Sequence, residues 1–188
     1  MLGKVADSPP SPLPLLLTAI LFWLISQCIM LTKCQSLKDT YGGGIDDIPD
    51  AWLWFGYNSA DDKLYDYLDR LGPQGRRAYM DINTLDFITY MPSYTLLLWV
   101  LLFRQCRNAG ISASTSWISL VVVMCDIIES VLFGYATRLF PNRLDASLLM
   151  IASMANQGKW ISLLLGMFTL VALSGRNNFV GGAKSHQC

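Results

Sequence analysis

Charged residues are scarce in this sequence. Only 15% of its 188 residues are Asp, Glu, Lys or Arg, whereas soluble domains carry about 25%. The 14 basic and 14 acidic side chains cancel, and a chain without net positive charge lacks the electrostatic signature of a nucleic-acid-binding protein. Hydrophobic residues make up 53% of the chain. The composition therefore indicates an integral membrane protein whose first partners are membrane lipids, with no nucleic acid.

Histidine is almost absent, and the cysteines have no metal-binding pattern. His186 in the tail is the single histidine, and none of the five cysteines forms a CxxC pair. We therefore expect no metal site, no haem and no other cofactor. Cys28 and Cys125 lie in apolar runs and are interpreted as small core residues. A Cys28–Cys34 disulfide in an oxidising compartment stays open as the alternative.

Four apolar runs are long enough to cross about 30 Å of hydrocarbon. The predicted spans cover about residues 15–32, 85–103, 115–138 and 146–173. Runs of this length without alternation exclude a β-barrel, so the spans must be helices. We predict an all-α polytopic protein: a single membrane domain over residues 1–188, with four helices in a bundle and one extramembrane loop at residues 33–78. A cleaved signal peptide competes for the first run; we expect an uncleaved span or signal anchor.

The extramembrane loop contains one predicted amphipathic helix. Ser59 and Asp62 resemble a capping box, and leucines and tyrosines at helical spacing follow as far as Gly72-Pro73. Before this helix come three glycines, an acidic patch and four aromatic residues. The aromatic residues, which predict either an interfacial anchor or a local mini-core, are Trp52, Trp54, Phe55 and Tyr57.

Several single residues predict how the later helices begin, bend and end. Pro92 should kink the second span because it removes one backbone hydrogen bond. Ser114 is a candidate N-cap for the third span, and Asp145 should lie in the first turn of the fourth. Gly175 and Arg176 are predicted to end that last helix.

Two ways of counting the loop charges predict opposite membrane orientations. Four spans place both termini on one side, and the long-loop side carries eight Lys or Arg residues against five. Net charge, in contrast, is more positive on the terminal side. We expect the termini on the cytosolic, matrix or stromal face; the organelle stays open, with the mitochondrial inner membrane or another organellar membrane as candidates.

Acidic and basic side chains occur inside the last two apolar runs. Asp126 and Glu129 share one face of the third span, and Lys159 lies in the fourth. Asp126 precedes Pro141 by fifteen residues and Lys159 follows it by eighteen, so an antiparallel hairpin brings these groups to similar depth. A buried charge is costly alone, and the sequence therefore predicts that the acids pair with Lys159.

Further polar residues point to the same region. Asn156 precedes Lys159 by one turn, and Asp86, Tyr90 and Tyr94 recur at helical spacing on the second span. Two interpretations follow from this intramembrane polar cluster. Either the polar groups satisfy each other and fix the helix register, or a surplus carboxyl group serves a ligand pocket, a proton relay or a catalytic acid site.

The segment around Arg76 and Arg77 superficially looks like a phosphate-binding loop. It lacks the GxxxxGK[ST] spacing and no strand precedes it. We interpret it as a turn between two helices, with both arginines at the membrane surface. A lipid headgroup site at these arginines is the alternative.

Part of this pattern resembles known membrane proteins. Over about two thirds of the chain it resembles a widespread family of small four-span membrane proteins with no assigned activity. The motifs are Gly56-Tyr57, Leu71-Gly72, Gly75-Arg76, Tyr79, Asp86, Pro92 and Tyr94, then Asp126-x-x-Glu129 and a lysine in the last span. A looser resemblance is to the emopamil-binding and sterol-isomerase superfamily, which implies that Asp126, Glu129, Asn156 and Trp160 face a sterol-like cavity.

The sequence contains no complete set of catalytic residues, so we expect a non-enzymatic role. The first expectation is an accessory subunit that binds other membrane protein subunits in a larger complex, with an energy-transducing complex as one candidate. The alternative is a lipid- or sterol-binding protein, or an isomerase-like enzyme, that uses the intramembrane acids. A small ion or proton transporter ranks last, because the chain shows no inverted repeat.

Overall fold

The computed structural model describes residues 13–42 and 57–185, with side chains for residues 13–42 and 63–176. Its helices are α1 (Leu13–Tyr41), α2 (Tyr57–Leu85), α3 (Met91–Asn108), α4 (Ile118–Leu139) and α5 (Ala146–Ser185). A π-helical turn, Asp86–Tyr90, joins α2 to α3, and a 3-10 turn, Ala113–Trp117, leads into α4. Four helical segments are long and apolar enough to cross a membrane. The predicted all-α, four-span architecture is therefore confirmed.

The helix ends correct several expectations. The first helix continues to Tyr41, well past residue 32, and ends where Gly42 adopts a positive φ of 74°. The last helix does not stop at Gly175 and Arg176 but continues to Ser185, because neither residue forces the backbone out of helical geometry. Apolar length predicted where the membrane crossing lies, whereas the helices extend beyond it into the polar flanks.

The predicted caps are also displaced. The loop helix begins at Tyr57, so Ser59 lies inside it rather than at its N-cap. Ser112, not Ser114, caps the turn before α4, with its hydroxyl oxygen accepting from the Ser114 N–H at 3.2 Å. Asp145 immediately precedes α5 and accepts from the Ser147 N–H at 2.8 Å. Trp52, Trp54, Phe55, the acidic patch before them and His186 lie outside the described residues.

Two prolines shape the second membrane crossing. Gly72, before Pro73, has φ 62° and ψ 178°, so the chain changes direction there and the predicted turn is present. Pro92 cannot donate a backbone hydrogen bond, and the π-helical turn lies just before it, where the Met91 N–H bonds to Asp86 O. The structure thus absorbs the missing hydrogen bond by widening the helix, as π-bulges do.

The apolar core is divided into layers along the bundle. Near the Pro141 turn, the first half of α2 packs on α1, α4 and α5 through a cluster that includes Leu68, Phe133 and Leu149. Farther along, Leu98, Leu102 and Val122 form a second cluster between α3 and α4. Residues between these two clusters on each helix form a separate polar layer. This layer contains the residues that the sequence singled out.

The outer surface of the bundle is apolar. Helix α1 packs on α3 through Leu16, Ala19 and Val100, while most of its other large side chains are exposed. Exposed apolar residues are the norm for helices that face lipid. Cys28 lies on this exposed surface, which corrects its interpretation as a core residue; Cys125 is half-buried, and both Cys28 and Cys34 are free thiols. Sulfur is apolar enough to face lipid, so the apolar run alone did not predict burial.

Candidate functional site

An ion triad forms the centre of the polar layer. The Lys159 Nζ lies 3.0 Å from Asp126 Oδ1 and 2.8 Å from Glu129 Oε2. The exposed fractions are only 7% for Asp126, 3% for Glu129 and 6% for Lys159. A rise of about 1.5 Å per residue places Glu129 about 18 Å and Asp126 about 23 Å from Pro141. The triad therefore lies well inside helices α4 and α5, which are long and apolar enough to cross a membrane.

Each carboxylate of the triad has two different kinds of partner. One oxygen faces the Lys159 ammonium and the other accepts from a neutral donor. The Tyr94 hydroxyl donates to Asp126 Oδ2, and Asn156 Nδ2 donates to Glu129 Oε1 at 2.8 Å. Buried ions are tolerated when their hydrogen-bonding capacity is satisfied in this way. Helices α3, α4 and α5 therefore meet through one hydrogen-bonded network.

A cavity of about 260 Å³ adjoins the triad. Its walls come from α1, α2, the π-helical turn, α4 and α5, and we call it the acid cavity. The predicted cluster residues that line it are Asp86, Tyr90, Asp126, Glu129 and Lys159. Among the described residues of the wall, three carboxyl groups thus face one ammonium. The remaining wall is mainly apolar or aromatic.

The other predicted site residues have different positions. Tyr94 and Asn156 contact the triad carboxylates but are not part of the cavity wall. Trp160, which the sterol-isomerase resemblance placed at a cavity, is 40% exposed on the outer surface of α5. It lies one residue beyond Lys159, and its ring centroid is 5.8 Å from Lys159 Nζ, but it is not among the residues that line the acid cavity.

Arg76 has a structural position rather than a free headgroup-binding one. Its Nη1 donates to Leu68 O at 2.7 Å, across the Gly72 turn, and its guanidinium lies 4.2 Å from the Phe140 ring centroid. The side chain therefore joins the start of α2 to the end of α4. Arg77 is exposed. Of the two arginines predicted as lipid contacts, Arg77 alone is left with an exposed side chain.

Sequence reasoning missed part of the cavity wall. Gln27 on α1, Tyr67 and Asn83 on α2, and Ser130 on α4 all line it. Asn83 Nδ2 also donates to Ser130 O at 3.2 Å, which ties α2 to α4 beside the cavity. Gln27 carried a usable signal, because it is the one amide in the first apolar run. Tyr67 carried none, since its spacing fits an ordinary amphipathic helix.

No group of three His, Cys, Asp or Glu side chains in the described part of the chain could hold a metal ion. The sequence matches no family model, no curated protein and no solved structure. The two resemblances therefore stay predictions, and the geometry of the site carries the functional argument.

Proposed function

We propose that this protein binds a lipid-soluble ligand in the membrane, a lipid or sterol-like molecule whose polar head enters the acid cavity. The observation that carries the proposal is the cavity itself, which lies within the apolar bundle and beside Asp126, Glu129 and Lys159. If the polar layer only fixed the register of the helices, side chains that filled this space would make the bundle more stable.

The size of the cavity supports the head of a ligand rather than a whole lipid. Its volume of about 260 Å³ is close to the lower limit of ligand pockets, which is about 300 Å³. The apolar tail would then remain among the acyl chains or along the exposed surface of α1. The cavity wall suits a ligand with a polar head and an apolar tail, because it contains carboxyl groups near aromatic and aliphatic side chains.

The proposal is limited to binding. Both triad carboxylates already contact Lys159 and a neutral donor. An isomerase-like reaction needs an acid or base within hydrogen-bonding reach of the substrate, and the ion triad fits a structural and ligand-orienting role better.

Two matched cysteine substitutions test this function. Cys34 lines the cavity and Cys28 lies on the exposed surface of the same helix. Cys34→Phe should occupy part of the cavity, whereas Cys28→Phe adds the same ring outside it. Lipids that co-purify with each variant are identified by native mass spectrometry. We expect wild type and Cys28→Phe to retain a bound lipid-soluble molecule and Cys34→Phe to lose it; equal ligand content in all three would contradict the proposal.

An accessory subunit of a larger membrane complex is the second candidate. One observation favours it: α5 continues as a helix from Arg176, where the apolar span ends, to Ser185. A helix projecting from the bilayer is a common means of reaching another subunit. Native gel electrophoresis of gently solubilised membranes tests this role, which predicts migration in a large assembly and is contradicted by migration as a small species alone.

A further inference from the structure

The walls of the acid cavity contain two kinds of group that recognise the same chemistry. Carboxyl groups attract a cation, and aromatic faces attract a cation through their quadrupole. Both line the same space within the apolar bundle. We propose that the ligand of the acid cavity carries a positively charged ammonium group, so that the cavity binds an ammonium-bearing amphiphile. This inference rests on the proposed function.

The balance of charge is the first support. Lys159 lies between Asp126 and Glu129 and is the single basic residue among the described residues of the wall. Asp86 belongs to a different wall, since it lies in the π-helical turn rather than on α4. The described wall therefore has an excess of acid over base, which a cation entering the cavity would reduce.

The aromatic residues are the second, independent support. Tyr79 and Tyr90 line the cavity and are half-buried, whereas Tyr67 and Phe133 line it with only 1% and 4% of their surface exposed. Tyr67 and Tyr79 pack edge to face with ring centroids 6.0 Å apart, and Tyr90 packs in the same manner on Tyr94 at 5.4 Å. These contacts hold the rings in place, and ordered rings beside carboxylates form the usual receptor for alkylated ammonium groups.

Three amphiphiles with the same twelve-carbon tail separate charge from lipophilicity. Dodecyltrimethylammonium carries a cation without N–H donors, protonated dodecylamine carries a cation with N–H donors, and dodecanol is neutral. The protein is reconstituted into lipid nanodiscs, and binding is measured from the displacement of a fluorescent alkylammonium probe. We expect both cations to bind at least tenfold more tightly than dodecanol. Tighter binding of the amine indicates hydrogen bonding to the carboxylates, and tighter binding of the quaternary cation indicates an aromatic site; either supports the proposal.

Matched variants assign the preference to the cavity. Asp86→Asn removes one carboxylate from the wall, whereas Asp81→Asn removes an exposed carboxylate one and a half turns away. We expect Asp86→Asn to weaken cation binding about tenfold without changing dodecanol binding, and Asp81→Asn to leave both unchanged. Tyr90→Phe keeps the ring and should retain binding of the quaternary cation, whereas Tyr90→Leu should weaken it.

The outcomes distinguish this inference from the proposed function. Equal affinity for dodecanol and the two cations would overturn the ammonium assignment and leave a lipid-binding cavity in place. The ammonium assignment would also be overturned if Asp81→Asn reduced the preference for cations as much as Asp86→Asn does, because surface charge would then account for that preference. Binding of none of the three, together with equal lipid content of the two cysteine variants, would overturn both proposals.

Discussion

The ammonium of Lys159 lies 2.8 Å from the carboxylate of Glu129. This ion pair joins α4 to α5, the two helices that pack most extensively on each other. The contact is buried on both sides. Because the bilayer offers these groups no water, the pairing of α4 and α5 depends on each side chain finding the other.

Lys159→Met should destabilise the bundle far more than Lys159→Arg. Methionine leaves Asp126 and Glu129 facing each other without a cation, and removing one partner of a buried pair costs about 3–5 kcal/mol. Arginine keeps the charge, and the adjoining cavity leaves room for its longer side chain. Unfolding in an SDS titration from nonionic detergent measures the difference; equal midpoints for the two variants would contradict the pairing.

A double substitution provides the control for that experiment. Glu129→Leu combined with Lys159→Met removes one acid and the base together, and Asp126 keeps its hydrogen bond from Tyr94. If the pair interacts, the double variant should be more stable than the sum of the two single changes indicates. Strict additivity would mean that the two groups do not interact.

Asn156→Leu should weaken the hairpin even though it adds apolar volume. The asparagine is fully buried, and its Nδ2 donates to Glu129 Oε1 at 2.8 Å. Losing that donor leaves a buried carboxylate oxygen with one partner fewer, which costs about 1–3 kcal/mol. The exposed Met154→Leu on the same helix is the matched control. A midpoint for Asn156→Leu at or above that of Met154→Leu would exclude an energetic role for this hydrogen bond.

Gly134→Leu should separate α2 from α4. A Cβ at Gly134 would lie 3.1 Å from Asn83 Nδ2, and the hydrogen bond of Asn83 to Ser130 O restricts how far that amide can move. Overpacking of this kind costs about 1–3 kcal/mol. Gly175→Leu is the control, because nothing lies within 4 Å of a Cβ there. Equal unfolding midpoints for the two glycine variants would show that α2 does not approach α4 at this point.

Arg76→Ala should lower stability, and Arg77→Ala should not. Arg76 loses its hydrogen bond to Leu68 O and its contact with the Phe140 ring, for which we expect about 1–3 kcal/mol. Exposed Arg77 should change stability by less than about 0.5 kcal/mol. Arg76→Lys should rescue only in part, since lysine lacks the planar group that stacks on the ring. A larger loss of stability for Arg77→Ala than for Arg76→Ala would contradict the structural role of Arg76.

Asp145 makes the start of α5 sensitive to acid. Hydrogen bonds from the Ser147 hydroxyl and then from its N–H lower the pKa of Asp145. A lowered folded-state pKa means that the contribution to stability is present above the ordinary aspartate range and is lost as the pH falls through the folded value. Asp145→Ala should therefore lower the thermal midpoint at pH 7, and the difference from wild type should shrink as the pH falls below the ordinary aspartate range. A difference that persists unchanged at low pH would contradict this cap.

Several features could be predicted from the sequence because they depend on local patterns. Long apolar runs gave four membrane helices, Gly72-Pro73 gave a turn, and Pro92 gave a distortion in the second crossing. The exact ends of the helices could not be predicted, because polar flanks such as 33–41 can continue a helix once α2 packs against them. The cap before α4 is Ser112 rather than Ser114, because sequence patterns do not determine a helix end to within one or two residues.

The candidate site divides in the same way. Asp126, Glu129 and Lys159 could be singled out from the sequence alone, since an ionisable residue in an apolar run is costly whatever the fold. Only the tertiary structure decided that Tyr94 and Asn156 support the carboxylates while Trp160 faces outward, because these roles depend on the rotation of α3 and α5. The space beside the triad, lined by side chains from five different segments, exists only after those helices have packed.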